Sequence, residues 1–318
     1  MKLVIQITCY NEAQTLPVTV RDLPRRIDGV EAIEYLVVDD GSTDGTAEVA
    51  KDLGVHHILR LRKHQGLASA FAAGLWEALR LGGDIVVTTD GDNQYQGADV
   101  EKLVRRILEG KADLVIGDRQ VDMIPHFSMI KKALQKLGSA VVRMVSKTDV
   151  PDAASGFRAF TREAALRLNV FSSYSPVLET IIQAGRSNMA VLSVPIRTNP
   201  PMRASRLIQS TFWYLLRQSI TILRIFIVYK PLRFFGSLGL GAFGLGVLIG
   251  LRFLYYYFAG GGQGHVQSLI LATILMTIGF QLGMLGLLAD LIAVNRRVLE
   301  EVQHRLRRYA REDHERPE

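Results

Sequence analysis

Three clusters of acidic and polar residues each follow a short apolar segment of the sequence. They occupy positions 9–12 (CYNE), 39–46 (DDGSTDGT) and 90–94 (DGDNQ). Carboxylates gathered in one place repel one another unless a cation or hydrogen-bond donors lie among them. In the third cluster, Asp90, Asp92 and Gln94 offer hard oxygen ligands, which suit Mg²⁺ or Mn²⁺ better than zinc. We therefore predict a divalent metal site here, in preference to a plain polar turn.

The elements that position these clusters are predicted from hydrophobic periodicity. The predicted strands are 2–8, 34–39, 55–60, 84–89 and 113–117, and the predicted helices between and after them are 43–53, 66–81, 98–109 and 127–146. Alternating strands and helices predict a doubly wound α/β domain, in which ligands bind at the carboxyl ends of the strands. Because all three clusters follow predicted strands, we expect them to lie at one edge of the sheet.

Composition excludes several classes of protein. The chain has 318 residues, of which 48% are apolar and 22% charged, so disordered and fibrous classes are excluded. Its one cysteine, Cys9, excludes a disulfide-stapled scaffold and favours a reducing, cytosol-facing catalytic portion. The opening apolar run is short and meets Asn11 and Glu12 at once, so we expect a first strand rather than a signal peptide.

The positive charge is concentrated in one part of the chain. The formal net charge is +7, and no acidic residue occurs between Glu179 and Asp290. Within this stretch, the window 197–233 carries basic residues interleaved with large apolar ones; they are Arg197, Arg203, Arg206, Arg217, Arg224, Lys230 and Arg233. Basic residues mixed with apolar ones before a long hydrophobic segment favour an anionic membrane surface over nucleic acid as the partner.

Two apolar segments near the C-terminus are long enough to cross a bilayer. They are 234–258 and about 268–294. The first has 25 residues, about 37 Å of helix against a hydrocarbon core of about 30 Å. The loop between them lacks Lys and Arg, whereas Lys230, Arg233, Arg296 and Arg297 flank their outer ends. The positive-inside rule therefore predicts a transmembrane hairpin at 232–294, in the plasma or inner membrane, with the catalytic domain and both termini in the cytoplasm.

Glycines within the hairpin predict close helix contacts. Gly246 and Gly250, and likewise Gly279 and Gly283, are spaced to let two helices approach closely. We expect this contact within the hairpin; contact between protomers, and hence a homo-oligomer, is the alternative.

The segment 206–230 has two interpretations. Its apolar content suggests a third span, but Arg217 and Arg224 are seven residues apart on one helical face, which favours an amphipathic helix in the membrane interface. The predicted organisation is a catalytic domain (1–202), a juxtamembrane amphipathic helix (203–231), the hairpin and a cytoplasmic tail (295–318) that forms a solvated helix.

Five motifs in order resemble those of a known family. CYNE, DDGSTDGT, DGDNQ, GDR at 117–119 and SGFRAF at 155–160 resemble the GT-A glycosyltransferases of family 2. With the C-terminal hairpin, the layout resembles the polyprenyl-phosphate branch, which includes dolichol-phosphate mannose synthase and the bactoprenol glucosyltransferases. The resemblance covers nearly the whole chain. It implies an α/β, GT-A (Rossmann-like) mixed sheet domain followed by an interfacial amphipathic helix and a two-helix transmembrane hairpin.

The resemblance also implies roles for individual residues. Those implied to hold the base and ribose of a nucleotide sugar are Tyr10, Glu12, Asp39 and Asp40. Those implied to hold Mg²⁺ or Mn²⁺ on the diphosphate are Asp90, Asp92 and Gln94. Arg119 matches an arginine near the donor phosphates or the acceptor, and with Asp90 and Asp92 it forms the implied catalytic set. Those implied to face the acceptor phosphate are Lys131, Lys132, Asp152, Arg158, Arg203, Ser205 and Arg206.

Some of these roles have structural alternatives. Lys131 and Lys132 fall on the predicted helix 127–146, where they are equally compatible with a solvated face. Arg158 is also compatible with a structural ion pair. The sequence departs from the family pattern by Cys9 for proline, His64 for asparagine, Gln135 for serine and Arg206 for lysine, and these departures leave the donor sugar open.

The expected reaction is inverting transfer of a hexose to a polyprenyl phosphate. The lipid phosphate is already an anion at neutral pH, so its oxygen can attack an anomeric carbon without a strong general base. Catalysis then rests on positioning and on charge neutralisation. UDP-glucose is the favoured donor and GDP-mannose the main alternative. A processive polysaccharide synthase is disfavoured because neither tryptophan follows an arginine, and a non-catalytic nucleotide-sugar or lipid-binding homologue is the other alternative.

Overall fold

The structure is a computed structural model that describes residues 1–121, 129–168, 176–200, 202, 220, 223, 224, 226–259 and 266–314. The chain divides into two compact units. One comprises Met1–Gln218 with His304–Glu318, and the other comprises Ser219–Gln303.

The first unit is built on a seven-stranded mixed sheet. Its strands are β1 (Lys2–Cys9), β2 (Ala32–Asp39), β3 (His57–Arg60), β4 (Ile85–Asp90), β5 (Leu114–Asp118), β6 (Arg158–Thr161) and β7 (Val191–Pro195). They lie in the order β3-β2-β1-β4-β6-β5-β7. Strand β6 runs antiparallel to both β4 and β5, whereas the other neighbouring strands pair in parallel. The predicted mixed α/β sheet is confirmed.

All five predicted strands are present, and two further strands were not predicted. Strand β6 has only four residues and begins at Arg158, so it lacks an apolar run. Strand β7 lies at the sheet edge and alternates in burial along its length. By contrast, the interior strand β1 contains consecutive apolar residues, Leu3, Val4 and Ile5, which are all fully buried, as expected for a strand covered on both faces of the sheet.

Helices flank the sheet and connect its strands. They are α1 (Leu16–Asp22), α2 (Thr46–Asp52), α3 (Leu67–Arg80), α4 (Val100–Leu108), α5 (Met129–Ser146), α6 (Arg162–Arg167) and α7 (Pro176–Arg186). The four predicted helices correspond to α2, α3, α4 and α5; the first two positions of the predicted 127–146 helix lie outside the described residues. Helices α1, α6 and α7 were not predicted.

Two long helices follow, α8 (Pro231–Phe258) and α9 (Val266–His314). The second unit contains all of α8 and the part of α9 up to Gln303. The segments Pro231–Phe258 and Val266–Asn295, of 28 and 30 residues, are long and apolar enough to cross a membrane. Helix α9 continues without a break into the tail. Large apolar side chains such as Leu240 and Phe280 are exposed along these helices, as expected for surfaces that face lipid.

The two helices touch through glycine, as predicted for a contact within the hairpin. Of the predicted glycines Gly279 takes part, its partner Gly239 was not among those predicted, and a Cβ on Gly283 would meet nothing within 4 Å. A Cβ on Gly239 would lie 2.7 Å from the carbonyl oxygen of Gly279, and a Cβ on Gly279 would lie 2.6 Å from that of Gly239. Only glycine permits this backbone approach. Most of the predicted amphipathic helix at 203–231 lies outside the described residues; its described positions 220, 223, 224 and 226–229 are helical.

Candidate active site

Strand register brings the three acidic clusters to one edge of the sheet. Cys9 at the end of β1 pairs with Asp39 of β2, and Thr8 pairs with Asp90 of β4. The prediction that the clusters meet is therefore confirmed. Cys9 is buried beneath them. Burial raises the pKa of its thiol well above the ordinary value, and the carboxylates nearby raise it further; they are Glu12, Asp39, Asp90 and Asp92.

The predicted base-binding residues lie around an aromatic pair. The Tyr10 ring stacks on the His64 ring, with 3.8 Å between centroids and 22° between planes. The Nδ1 atom of His64 lies 2.8 Å from Asp40 Oδ2. The Asp40 carboxylate also accepts hydrogen bonds from the backbone N–H groups of Gln65 and Gly66, each at 2.8 Å. Asp40 therefore holds the loop that places His64 against Tyr10.

Asp39 is fully buried beside this pair. Its Oδ1 accepts a hydrogen bond of 2.9 Å from the Ser42 N–H. Its Oδ2 lies 3.3 Å from Arg60 Nε but, among the described residues, accepts no hydrogen bond. A buried carboxylate oxygen in this state is suited to accept an N–H group of a ligand, because an unmade hydrogen bond is costly away from water.

Glu12 is connected through Thr15 to the backbone of the third acidic cluster, residues 90–94. It is buried, and its Oε2 lies 2.7 Å from the hydroxyl of Thr15, which is also 2.8 Å from the carbonyl oxygen of Gly91. The hydroxyl of Thr19 lies 3.1 Å from the same carbonyl oxygen. These contacts anchor the backbone between Asp90 and Asp92, so the predicted ribose residue Glu12 also has a structural connection to the predicted metal site.

The predicted metal residues offer a donor set that fits Mg²⁺ or Mn²⁺. Asp90 and Asp92 are partly exposed, and Asp92 Oδ1 accepts a hydrogen bond of 3.1 Å from the Gln94 N–H. Within the described ranges no three His, Cys, Asp or Glu side chains are grouped to hold a metal unaided. Mg²⁺ commonly binds through one or two carboxylates plus substrate phosphates and water, which agrees with two aspartates at a ligand-facing edge.

Arg119 and Asp152, predicted separately, are partners. Arg119 Nε and Nη2 donate hydrogen bonds of 2.7 and 2.9 Å to the two carboxylate oxygens of Asp152, and both side chains are buried. Burial acts to lower the pKa of Arg119, but the Asp152 hydrogen bonds and the nearby Tyr95 and Asp90 raise it above its usual value. Arg119 therefore stays charged at this edge of the sheet.

Arg158, at the start of β6, is fully buried. Its guanidinium donates to the carbonyl oxygens of Ala153, Ser155 and Val177, at 3.1, 2.8 and 2.6 Å, and to the hydroxyl of Thr180. Burial lowers its pKa to about 9. The side chain thus ties the 153–158 segment to α7. The alternative of a structural role is favoured, through carbonyl groups rather than an ion pair.

The other predicted acceptor residues are only partly described. Lys132 lies partly buried on α5, whereas the side chain of Lys131 lies outside the described residues, as do Arg203, Ser205 and Arg206. Sequence reasoning missed one segment that contacts the predicted metal residues. Arg197, counted there among the membrane-facing charges, is bonded to Asp99 at 2.7 Å, and the Asn199 N–H donates to the Gln94 carbonyl oxygen. Only the proximity of 197–199 to the basic motif at 203–206 could have drawn attention to it.

The family model described as Glycosyl transferase family 2 matches residues 4–168 of this chain. The chain is 31% identical to Glycosyltransferase AglJ of Haloferax volcanii, over 89% of this chain and 91% of that protein. It is 31% identical to the undecaprenyl-phosphate mannosyltransferase of Micrococcus luteus, over 62% of this chain and 83% of that protein.

Solved structures share the fold. Glucosyl-3-phosphoglycerate synthase from Mycobacterium tuberculosis, crystallised with Mn²⁺, UDP-glucose and phosphoglyceric acid, superposes with a TM-score of 0.55 at 20% identity, over 71% of this chain and 78% of that one.

Proposed function

The chain belongs to glycosyl transferase family 2, and we propose that it is a membrane-bound, inverting enzyme that transfers a hexose from a nucleotide sugar to a polyprenyl phosphate. The observation that carries this proposal is the register that joins Asp39, Asp90 and the end of β1 at one edge of the sheet. The two apolar helices and the Micrococcus luteus relative, named for transfer to undecaprenyl phosphate, support a lipid acceptor.

Tyr10, Glu12, Asp39 and Asp40 are proposed to form the nucleoside site. The stacked rings of Tyr10 and His64 offer an aromatic surface for the base. In this proposal Asp39 Oδ2, which accepts no hydrogen bond among the described residues, accepts a base N–H, a group that both uracil and guanine carry. UDP-glucose is our first choice of donor, in line with the ligand in the Mycobacterium tuberculosis structure of similar fold. The Micrococcus luteus relative, named for mannosyl transfer, supports mannose as the second candidate sugar, with GDP-mannose as the proposed donor.

Asp90, Asp92 and Gln94 are the residues that would hold Mg²⁺ or Mn²⁺ at the donor diphosphate. A bound divalent ion would lower the negative charge that develops on the departing nucleoside diphosphate. Asp90 and Asp92 supply the carboxylates, and the Gln94 backbone orients Asp92 through its N–H.

Transfer itself needs little proton chemistry. An oxygen of the lipid phosphate forms a bond to the anomeric carbon from the face opposite the diphosphate, while the bond to the diphosphate oxygen breaks, so the configuration inverts. Arg119, held by Asp152, is proposed to attract the phosphates, with Lys131, Lys132, Arg203, Ser205 and Arg206 at the acceptor. Arg158 is proposed to act as a positioning residue, because it bonds the carbonyl groups of Ala153 and Ser155 in the segment that follows Asp152.

The membrane arrangement is also proposed. The hairpin spans the bilayer with both termini in the cytoplasm, and the basic residues before it hold the catalytic unit at the headgroup layer, where a lipid presents its phosphate.

The test is direct transfer by the detergent-purified full chain. Radiolabelled UDP-glucose or GDP-mannose is incubated with a C55 polyprenyl phosphate and Mg²⁺ or Mn²⁺, and label in the organic phase is counted. We expect lipid label that EDTA prevents. The variant Asp92→Asn should give no label, whereas the control variant Asp28→Asn, at an exposed position, should give as much label as the wild type. If only GDP-mannose gives lipid label, the transferred sugar is mannose rather than glucose. Nucleotide-sugar binding without lipid label from a wide donor panel would favour a non-catalytic homologue.

A further inference from the structure

Asn199 bonds three successive carbonyl groups of the loop that carries the predicted metal residues, which we call the metal loop (residues 90–95). The backbone N–H of Asn199 donates to the Gln94 carbonyl oxygen at 2.9 Å. Its side-chain amide Nδ2 donates to the carbonyl oxygens of Asn93 at 3.0 Å and Tyr95 at 3.3 Å. Asn199 therefore satisfies the acceptors on both sides of Gln94 from a position more than 100 residues further along the chain.

Neighbouring contacts make this a continuous connection, which we call the strap (Arg197–Asn199). Thr198 forms an antiparallel bridge with Tyr95, and the Gln96 N–H donates to the Arg197 carbonyl oxygen at 3.3 Å. The Arg197 N–H and guanidinium both bond the buried Asp99, at 2.7 Å each. The strap is thus fastened at one end by Asp99 and along its length by residues 93–96.

The loop needs this support because of its backbone. Asn93, between Asp92 and Gln94, has a φ of 57°. That left-handed conformation is uncommon for a residue with a side chain, although asparagine tolerates it better than most. Asn93 is buried, and among the described residues its Oδ1 has no hydrogen-bond partner. The bond from Asn199 to the Asn93 carbonyl group therefore stabilises a conformation that the loop does not hold well by itself.

We propose that Asn199 is a positioning residue for the metal loop, acting through the backbone of residues 93–95 to hold Asp92 and Gln94 in their binding arrangement. The proposal rests on the proposed function in so far as Asp92 and Gln94 bind the ion. Residues that orient metal ligands without touching the metal commonly change metal affinity by about tenfold or more when they are replaced.

Two measurements on the detergent-purified full chain test this role. The first is Mn²⁺ binding with UDP present, followed by the electron paramagnetic resonance signal of free Mn²⁺. We expect Asn199→Ala and Asn199→Asp to weaken Mn²⁺ binding about tenfold. Thr198→Ala is the matched control, because Thr198 contacts Tyr95 through its backbone, and it should bind Mn²⁺ as the wild type does.

The second measurement needs no metal. Hydrogen–deuterium exchange of the peptide covering 91–97 should be faster in both Asn199 variants than in wild type and Thr198→Ala, while exchange in the β1 peptide stays unchanged. Unchanged exchange of the loop in the Asn199 variants would overturn the proposal. So would an unchanged Mn²⁺ affinity in these variants, provided that the wild type binds Mn²⁺. If the wild type binds no Mn²⁺, the metal part of the proposed function fails, and the exchange result alone decides whether Asn199 holds the loop.

Discussion

The guanidinium of Arg119 lies against the carboxylate of Asp152 in a bidentate ion pair, with Nε and Nη2 at 2.7 and 2.9 Å from the two oxygens. The backbone N–H of Arg119 also points to Asp152 Oδ2, at 3.3 Å. Both side chains are almost fully removed from water. The pair fixes the direction of the Arg119 side chain and joins the end of β5 to the segment before β6.

Removal of the Asp152 charge should destabilise the catalytic unit. Asp152→Asn leaves Arg119 buried without its counter-charge, so we expect the free energy of unfolding to fall by about 3 kcal/mol. The measurement is thermal unfolding in detergent. Glu163→Gln is the matched control, since Glu163 pairs with Arg167 at 2.9 Å on an exposed helix surface, and it should cost less than about 0.5 kcal/mol. Equal losses in the two variants would contradict the assigned difference in burial.

A methyl group at Gly91 should disturb the metal loop through Cys9. A Cβ on Gly91 would lie 2.6 Å from Cys9 Sγ, with the next contact, Thr8 O, at 3.4 Å. We expect Gly91→Ala to displace Asp90 and Asp92 and to lower the transfer rate at least about tenfold, because small misplacements of reacting groups are costly.

The rescue variant makes this prediction specific. Cys9→Ala removes the sulfur atom that the new methyl group would meet, so the double variant Cys9→Ala/Gly91→Ala should recover most of the lost rate, and Cys9→Ala alone should stay close to wild type. Steady-state rates of lipid labelling provide the comparison. A double variant as slow as Gly91→Ala would show that the contact with Cys9 is not the cause.

Nucleotide affinity should depend on the Tyr10 ring and not on its hydroxyl group. Tyr10→Ala removes the surface that stacks on His64, and we expect the Kd for UDP to rise about tenfold, the effect typical of one lost base-stacking contact. Tyr10→Phe keeps the ring and should bind as the wild type does. Isothermal titration with UDP measures the Kd of both variants. An unchanged Kd in Tyr10→Ala would show that the base does not bind on this ring.

The hairpin should require glycine at the helix contact but not elsewhere. Gly239→Val places a branched side chain against the Gly279 backbone, whereas a Cβ on Gly241 meets nothing within 4 Å. We expect Gly239→Val to lower the Tm of the detergent-solubilised protein and Gly241→Val to leave it unchanged. Circular dichroism at 222 nm follows the loss of helix. A similar Tm for the two variants would argue against the close contact.

Several features were predictable because they depend on neighbouring residues. Strands β1 to β5 are short apolar runs, and α8 and α9 contain long uncharged ones, so hydrophobic periodicity alone indicates them. The meeting of Asp39 and Asp90 followed from a general rule for the ends of parallel strands and is confirmed by the register. The roles of Lys131 and Lys132 stay predictions.

The amino-acid sequence by itself determined the order of the elements, the edge at which the acidic clusters lie and the two apolar helices, because these follow from local patterns of side chains. Only the tertiary structure decided that Arg119 is paired with Asp152, that Arg158 is buried among carbonyl groups, and that Asn199 bonds the backbone that follows Asp92. Those contacts join residues far apart in the chain, and no local periodicity encodes which distant carbonyl or carboxylate a polar side chain will meet once the antiparallel strand β6 has been inserted between β4 and β5.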